Sequence, residues 1–160
     1  MPLIRDIAEA DCVVAEELLY SNDLGDGRSY YPGDLDVIVA ELCGSVVGVA
    51  EFRLDYDFGH DKGREAHPGK QAFVLTMAVA HTDRRRRIGR ALLTEIAHRA
   101  QEAGLTFLAL VPQDGDGEAD RQAFFQACGL TRYGPNSPGA AWGCPVSEVL
   151  VANAVGVEES

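Results

Sequence analysis

Residues 73–93 read Phe73-Val74-Leu75-Thr76-Met77-Ala78-Val79-Ala80-His81-Thr82-Asp83-Arg84-Arg85-Arg86-Arg87-Ile88-Gly89-Arg90-Ala91-Leu92-Leu93, a strand that turns into a helix. All but Thr76 of the first eight residues are apolar, and the run is rich in strand formers. Beyond them, apolar residues fall at 88, 91, 92, 96, 100 and 103, one buried face at helical spacing, and Gly104 stands where a left-handed stop belongs. Arg84 to Arg87 therefore open a helix. Each cation there opposes the positive end of the helix dipole, at a cost of about 0.3–1 kcal/mol. Four in succession are better explained if an anion normally occupies the helix start. Its unpaired backbone N–H groups, with Gly89 allowing close approach, form a phosphate cradle.

Working outward, Leu3 to Ile7 reads as a strand, and Asp11 as the N-cap of a helix through Leu19. Asp36–Leu42 and Val46–Leu54 read as strands joined by a hairpin at Cys43-Gly44-Ser45. Asp55 to Gln71 is polar and reads as a long functional loop. Strand 73–80, helix 87–103 and strand 105–111 make a β-α-β unit whose strands should be parallel neighbours. Ala119 to Cys128 is a helix ended by Gly129. The tail beyond Leu130, interrupted by Pro135, Pro138 and Pro145, promises short strands at best. There is no internal repeat, and one domain over 1–160 is expected.

Composition excludes several classes. The chain has 160 residues, 46% of them hydrophobic, enough for one real core. A net charge of −11 argues against a nucleic-acid binder. Five of the 14 basic residues lie between 84 and 90, so positive charge is local in an acidic molecule. An exposed charge run or a nucleic-acid patch would also account for arginines, but this run sits between a buried-type strand and an amphipathic helix. Cys12, Cys43, Cys128 and Cys144 have no metal-like spacing and read as small buried residues in a reducing compartment. The acidic stretch Asp114, Asp116, Glu118 and Asp120 lacks the glutamate of a calcium loop and reads as a solvated turn, so no metal is expected. His60, His67, His81 and His98 belong to no nucleophile motif. No apolar run reaches membrane-spanning length, and Arg5, Asp6 and Glu9 stand where a signal peptide would be apolar. A cytoplasmic protein is expected.

Arg84-x-x-Arg87-x-Gly89 resembles the pyrophosphate loop of the GNAT superfamily of acetyl-CoA-dependent N-acetyltransferases, (Gln/Arg)-x-x-Gly-x-(Gly/Ala). Arg84 takes the first position and Gly89 the last, while Arg87 replaces a glycine. Phe124-Phe125-Gln126-Ala127-Cys128-Gly129-Leu130 is similar to that family's Leu-Tyr-x-x-x-Gly-Phe helix end. The resemblance covers roughly residues 35 to 133. It implies an α/β (α+β) fold, a mixed and mostly antiparallel twisted sheet of six to seven strands flanked by about four helices. It also implies acetyl-CoA as cosubstrate, with Met77, Ala78 and Val79 holding its pantetheine arm and Arg84, Arg85, Arg86, Arg87, Ile88, Gly89 and Arg90 its phosphates. Phe125 would border the same cofactor.

The implied reaction is direct attack of an amine on the acetyl thioester within a ternary complex. It calls for a neutral amine, a donor to the carbonyl and a proton for the thiolate. Backbone N–H near Met77 is the expected donor. The family's proton-giving tyrosine is replaced by Phe125 and an upstream asparagine by Glu118, while the base positions on the fourth strand hold Phe73 and Leu75. Glu51 is then the candidate base. An alternative from another class is a non-catalytic acyl-CoA-binding sensor, which the missing tyrosine favours. The acceptor is expected to be cationic, because loops 21–34 and 55–71 carry Asp23, Asp26, Asp34, Asp55, Asp57, Asp61 and Glu65 among Tyr30, Tyr31, Tyr56 and Phe58. Arg28, Lys62, Arg64 and Lys70 dilute that field. Strands near the C-terminus offer pairing edges for a homodimer.

Overall fold

A computed structural model describes residues 2–21, 36–57, 67, 69–80, 86–110, 118–132 and 142–158. The elements are β1 (Leu3–Asp6), a 3-10 turn (Glu9–Asp11), α1 (Cys12–Ser21), β2 (Asp36–Leu42), β3 (Ser45–Asp57), β4 (Lys70–Val79) and α2 (Arg86–Glu102). β5 (Phe107–Leu110), α3 (Glu118–Ala127), β6 (Thr131–Arg132), β7 (Trp142–Pro145) and α4 (Val146–Glu158) follow. The seven strands form one sheet in the order β1-β2-β3-β4-β5-β7-β6. β4 and β5 are parallel, as a strand–helix–strand crossover requires, whereas β1–β2, β2–β3, β5–β7 and β6–β7 are antiparallel. The expected α/β architecture, a mixed sheet with four α-helices, is what the chain adopts.

Two compact units divide the chain, Met1–Phe52 with Leu75–Glu95 and Arg53–Val74 with Ile96–Ser160, and β3, β4 and α2 each contribute to both. In the first, residues alternate across the strands. Val37, Val39, Val49 and Ala78 point to one face and close on Ala15, Leu18 and Leu19 of α1. On the other face Gly48 lets α2 approach: a Cβ there would stand 3.1 Å from Ile88 Cγ2 and 3.2 Å from Leu92 Cδ1. The β2–β3 hairpin turns on Cys43 (φ 53) and Gly44 (φ 84), both left-handed, as a two-residue turn needs. Cys43 is exposed there, correcting its reading as a buried residue, whereas Cys128 and Cys144 are buried as expected.

In the second unit all four residues of β5 are buried. Buried Gln71 fixes the strand's entry, its Oε1 accepting the N–H groups of Thr106 (3.0 Å) and Phe107 (3.1 Å). Burial holds the Cys144 thiol up at about 12, with Glu148 adding to the shift.

Several elements differ from the sequence expectation. Ile7 is outside β1, although its N–H still reaches the Val37 carbonyl at 3.1 Å. Asp11 is not an N-cap for α1: its carboxylate accepts the Ala8 N–H (2.8 Å) and a two-pronged bond from Arg5 (2.6 and 3.1 Å). β3 continues to Asp57 and β4 begins at Lys70, shortening the expected 55–71 loop at both ends. The tail holds a helix, α4, directly after Pro145. Its β-branched residues are weak helix formers, but Val146 and Val149 are buried, and burial outweighs propensity.

Candidate active site

The last half of β4 and the start of α2 lie in the first unit. Among the described residues the β4–β5 ladder covers Ala72, Phe73 and Val74, and β4 continues through Leu75, Thr76, Met77, Ala78 and Val79. Met77 and Val79 are half-buried, and the Ala78 side chain belongs to the core against α1, so any part for Ala78 in holding a ligand falls to its backbone. The N–H of Ala80 donates to the Val47 carbonyl at 2.8 Å, anchoring the strand end.

Helix α2 begins at Arg86 and has no acidic residue in its first turn, so the positive helix end is uncompensated by its own side chains. Arg84 and Arg85 lie outside the described residues. Arg87 is exposed and Arg90 half-buried, while Gly89 is buried. Ile88, 1% exposed, packs toward Gly48, which leaves its backbone N–H as its contribution to a cradle. Arg90 Nε is buried without a hydrogen-bond partner among the described residues. A guanidinium edge left unsatisfied beside a helix N-terminus fits a phosphate-bearing group.

Glu51 sits on β3, paired across the ladder with Val37, and is 1% exposed. Its Oε1 accepts the Thr76 hydroxyl at 2.6 Å. Glu51 therefore points into the protein, neither to solvent nor to an open cleft, which the alternation of β3 by itself left undecided. Thr76 was not singled out by sequence reasoning, since a threonine in a strand carries no motif. Its pairing with Glu51, 25 positions away, exists only in the sheet.

Phe125 belongs to the second unit, buried at 9% exposure with its ring edge-on to Phe124 (5.3 Å between centroids). Of the acidic and aromatic residues read as an acceptor-binding set, Asp55 pairs with Arg53 Nε at 3.1 Å, which draws its carboxyl below the usual range. Tyr56 stacks on Phe73 at 4.5 Å. Asp23, Asp26, Tyr30, Tyr31, Asp34, Phe58, Asp61 and Glu65 lie outside the described residues, as do Asp114 and Asp116.

Residues 4–130 match the family model described as Acetyltransferase (GNAT) family. A relative from Azospirillum brasilense named IAA acetyltransferase is 32% identical over 118 residues, 74% of this chain and 69% of the relative. Among solved structures, the ribosomal-protein-S18-alanine N-acetyltransferase of Escherichia coli superposes with a TM-score of 0.63 at 16% identity, covering 91% of this chain and 94% of that one. A GNAT superfamily phosphinothricin acetyltransferase from Sinorhizobium meliloti, in complex with acetyl-CoA, gives 0.60 at 19% identity, covering 90% and 88%. At these identities the solved structures establish the shared fold.

Proposed function

The chain belongs to the GNAT acetyltransferase family, whose acyl donor is acetyl-CoA, and from that premise we propose that it acetylates an amine by direct attack in a ternary complex. The observation that carries the reading is the start of α2, whose first turn holds no acidic residue and where Arg90 Nε is buried without an acceptor among the described residues. The free N–H groups of the first turn of α2, with the side chains of Arg87 and Arg90, take the pyrophosphate, and Met77 to Val79 offer strand backbone to the pantetheine amides. When bound, acetyl-CoA supplies a thioester carbonyl open to a nucleophile. The Met77 N–H donates to the carbonyl oxygen, worth about 2.7–4 kcal/mol for a well-placed donor. Glu51 is the candidate base, and its burial behind the Thr76 hydroxyl keeps it from touching the amine directly. Phe125 has no proton to give, so the thiolate takes its proton from water or another side chain.

Incubating the protein with acetyl-CoA and a panel of tyramine, spermidine and a peptide with a free N-terminus, and following free thiol, tests this reading. Thiol release that requires an amine supports it. Tight acetyl-CoA binding without release from any amine favours the acyl-CoA-binding sensor, the reading that Phe125 supports.

A further inference from the structure

Glu51 is a carboxylate sealed within a sheet. Its neighbours on β3, Ala50 and Phe52, are fully buried, as is Val49 on its own face. Burying a carboxylate costs several kcal/mol before its partners repay it, and an apolar side chain would fill the space at no such cost. Its presence on a core strand therefore points to chemistry. Yet a general base must come within about 2.6–3.2 Å of the proton it removes, or act through an intermediary. At 1% exposure, Glu51 cannot meet an incoming nitrogen itself.

Thr76 supplies the intermediary. Its hydroxyl donates to Glu51 Oε1 at 2.6 Å, the length of a hydroxyl bond to a carboxylate. A hydroxyl gives one proton and keeps two lone pairs, so Thr76 Oγ1 can accept from a nucleophile while donating to Glu51. The residue is half-buried rather than sealed. It lies beyond the part of the β4–β5 ladder seen among the described residues and immediately before Met77, whose backbone is the proposed carbonyl donor.

We infer that Thr76 and Glu51 form a proton relay, in which the Thr76 hydroxyl meets the attacking atom and Glu51 stores the proton behind it. This rests on the acyl-transfer reading of the same site. As the nitrogen–carbon bond forms and the carbon–sulfur bond breaks, the nitrogen's proton passes to Thr76 Oγ1. The hydroxyl's own proton passes to Glu51 Oε1. The thiolate is protonated by water, and Glu51 returns its proton to solvent by the reverse path before the next turnover. Thr76 is thus the catalytic residue, and Glu51 acts through it.

Thr76→Val removes the hydroxyl at constant shape, Thr76→Ser keeps it, and Glu51→Gln removes the proton store. Thr76→Ala serves as a second hydroxyl deletion should the valine variant fold poorly. In the protein alone, the infrared carboxylate band lost in Glu51→Gln should shift in Thr76→Val and stay in place in Thr76→Ser. Calorimetry should give all variants the wild-type CoA affinity within about twofold. Thiol release from acetyl-CoA, measured with water as acceptor and with the amine panel, should fall about 10²–10⁴-fold in kcat for Thr76→Val and Glu51→Gln, with KM unchanged. The double variant should be no slower than either single one, and Thr76→Ser should stay within tenfold of wild type. An unshifted band, Thr76→Val turnover within threefold of wild type, or a loss of CoA affinity matching the loss of rate overturns the relay. Water-driven release that keeps its dependence on Thr76 and Glu51 while every amine fails supports the relay and sinks the amine reading. Amine acetylation indifferent to Thr76 does the reverse.

Discussion

Asp11 and Gly48 show how much single residues decide. Arg5 bridges Asp11 and Glu41, and its hydrogen bonds are the main reason the Asp11 carboxyl lies below its ordinary range. A depressed folded-state value means that this stabilisation is complete above the unfolded carboxylate pKa and fades as pH falls through the lower folded one. Asp11→Asn should therefore cost about 1–3 kcal/mol near neutrality, with the gap to wild type closing in acid. Thermal unfolding across pH 2–7 checks both the size and the sign. Gly48 tests close packing instead. Its added Cβ would lie 3.1–3.4 Å from Ile88, Leu92 and Ala40, so Gly48→Val overpacks the contact between β3 and α2. A loss of about 1–3 kcal/mol in denaturant unfolding is expected.

At the scale of elements, the β4–α2 junction carries its own prediction. Gly89→Glu places bulk and negative charge in the second turn of a helix whose start is proposed to hold phosphates. Arg87→Ala removes one cation whose neighbours partly replace it. Calorimetric titration should find CoA affinity lost at least tenfold in Gly89→Glu and reduced only a fewfold in Arg87→Ala. Equal affinity in Gly89→Glu and wild type would refute the cradle. The β-α-β unit was legible because its strand run and helical period change over at one point, and because Gly104, at φ +80, ends the helix where the pattern does. Helix α4 was illegible because prolines and β-branched residues speak for irregular structure locally, and only the burial of Val146 and Val149 reverses that.

For the whole molecule, the charge of −11 against the local arginine run leads to a prediction about the acceptor. A cationic acceptor is drawn by the net field, so kcat/KM should fall as ionic strength rises from 20 to 300 mM, values spanning Debye lengths from about 20 Å to about 6 Å. A salt-independent kcat/KM, or a best substrate that is anionic apart from its amine, refutes the cationic acceptor. The pairing of Asp55 with Arg53 and the stacking of Tyr56 on Phe73 remove two members of the set that first suggested it. The remaining weight rests on net charge, which acts at long range and does not depend on where any one carboxylate points.

The sequence by itself determined the elements that announce themselves locally: the strand-to-helix junction, the glycine stops, the hairpin at Cys43-Gly44 and, through Arg84-x-x-Arg87-x-Gly89, the family and its cosubstrate. These are written in neighbouring residues, because dipole, turn geometry and helical period act within a few positions. Tertiary structure alone decided which way Glu51 points, that Thr76 donates to it, and that Arg90 Nε has no acceptor among the described residues. Strand alternation offers two faces and does not say what covers each. Among the described residues α1 closes over Val37, Val39 and Val49 on the face that Glu51 shares, and only the sheet brings residue 76 within 2.6 Å of residue 51.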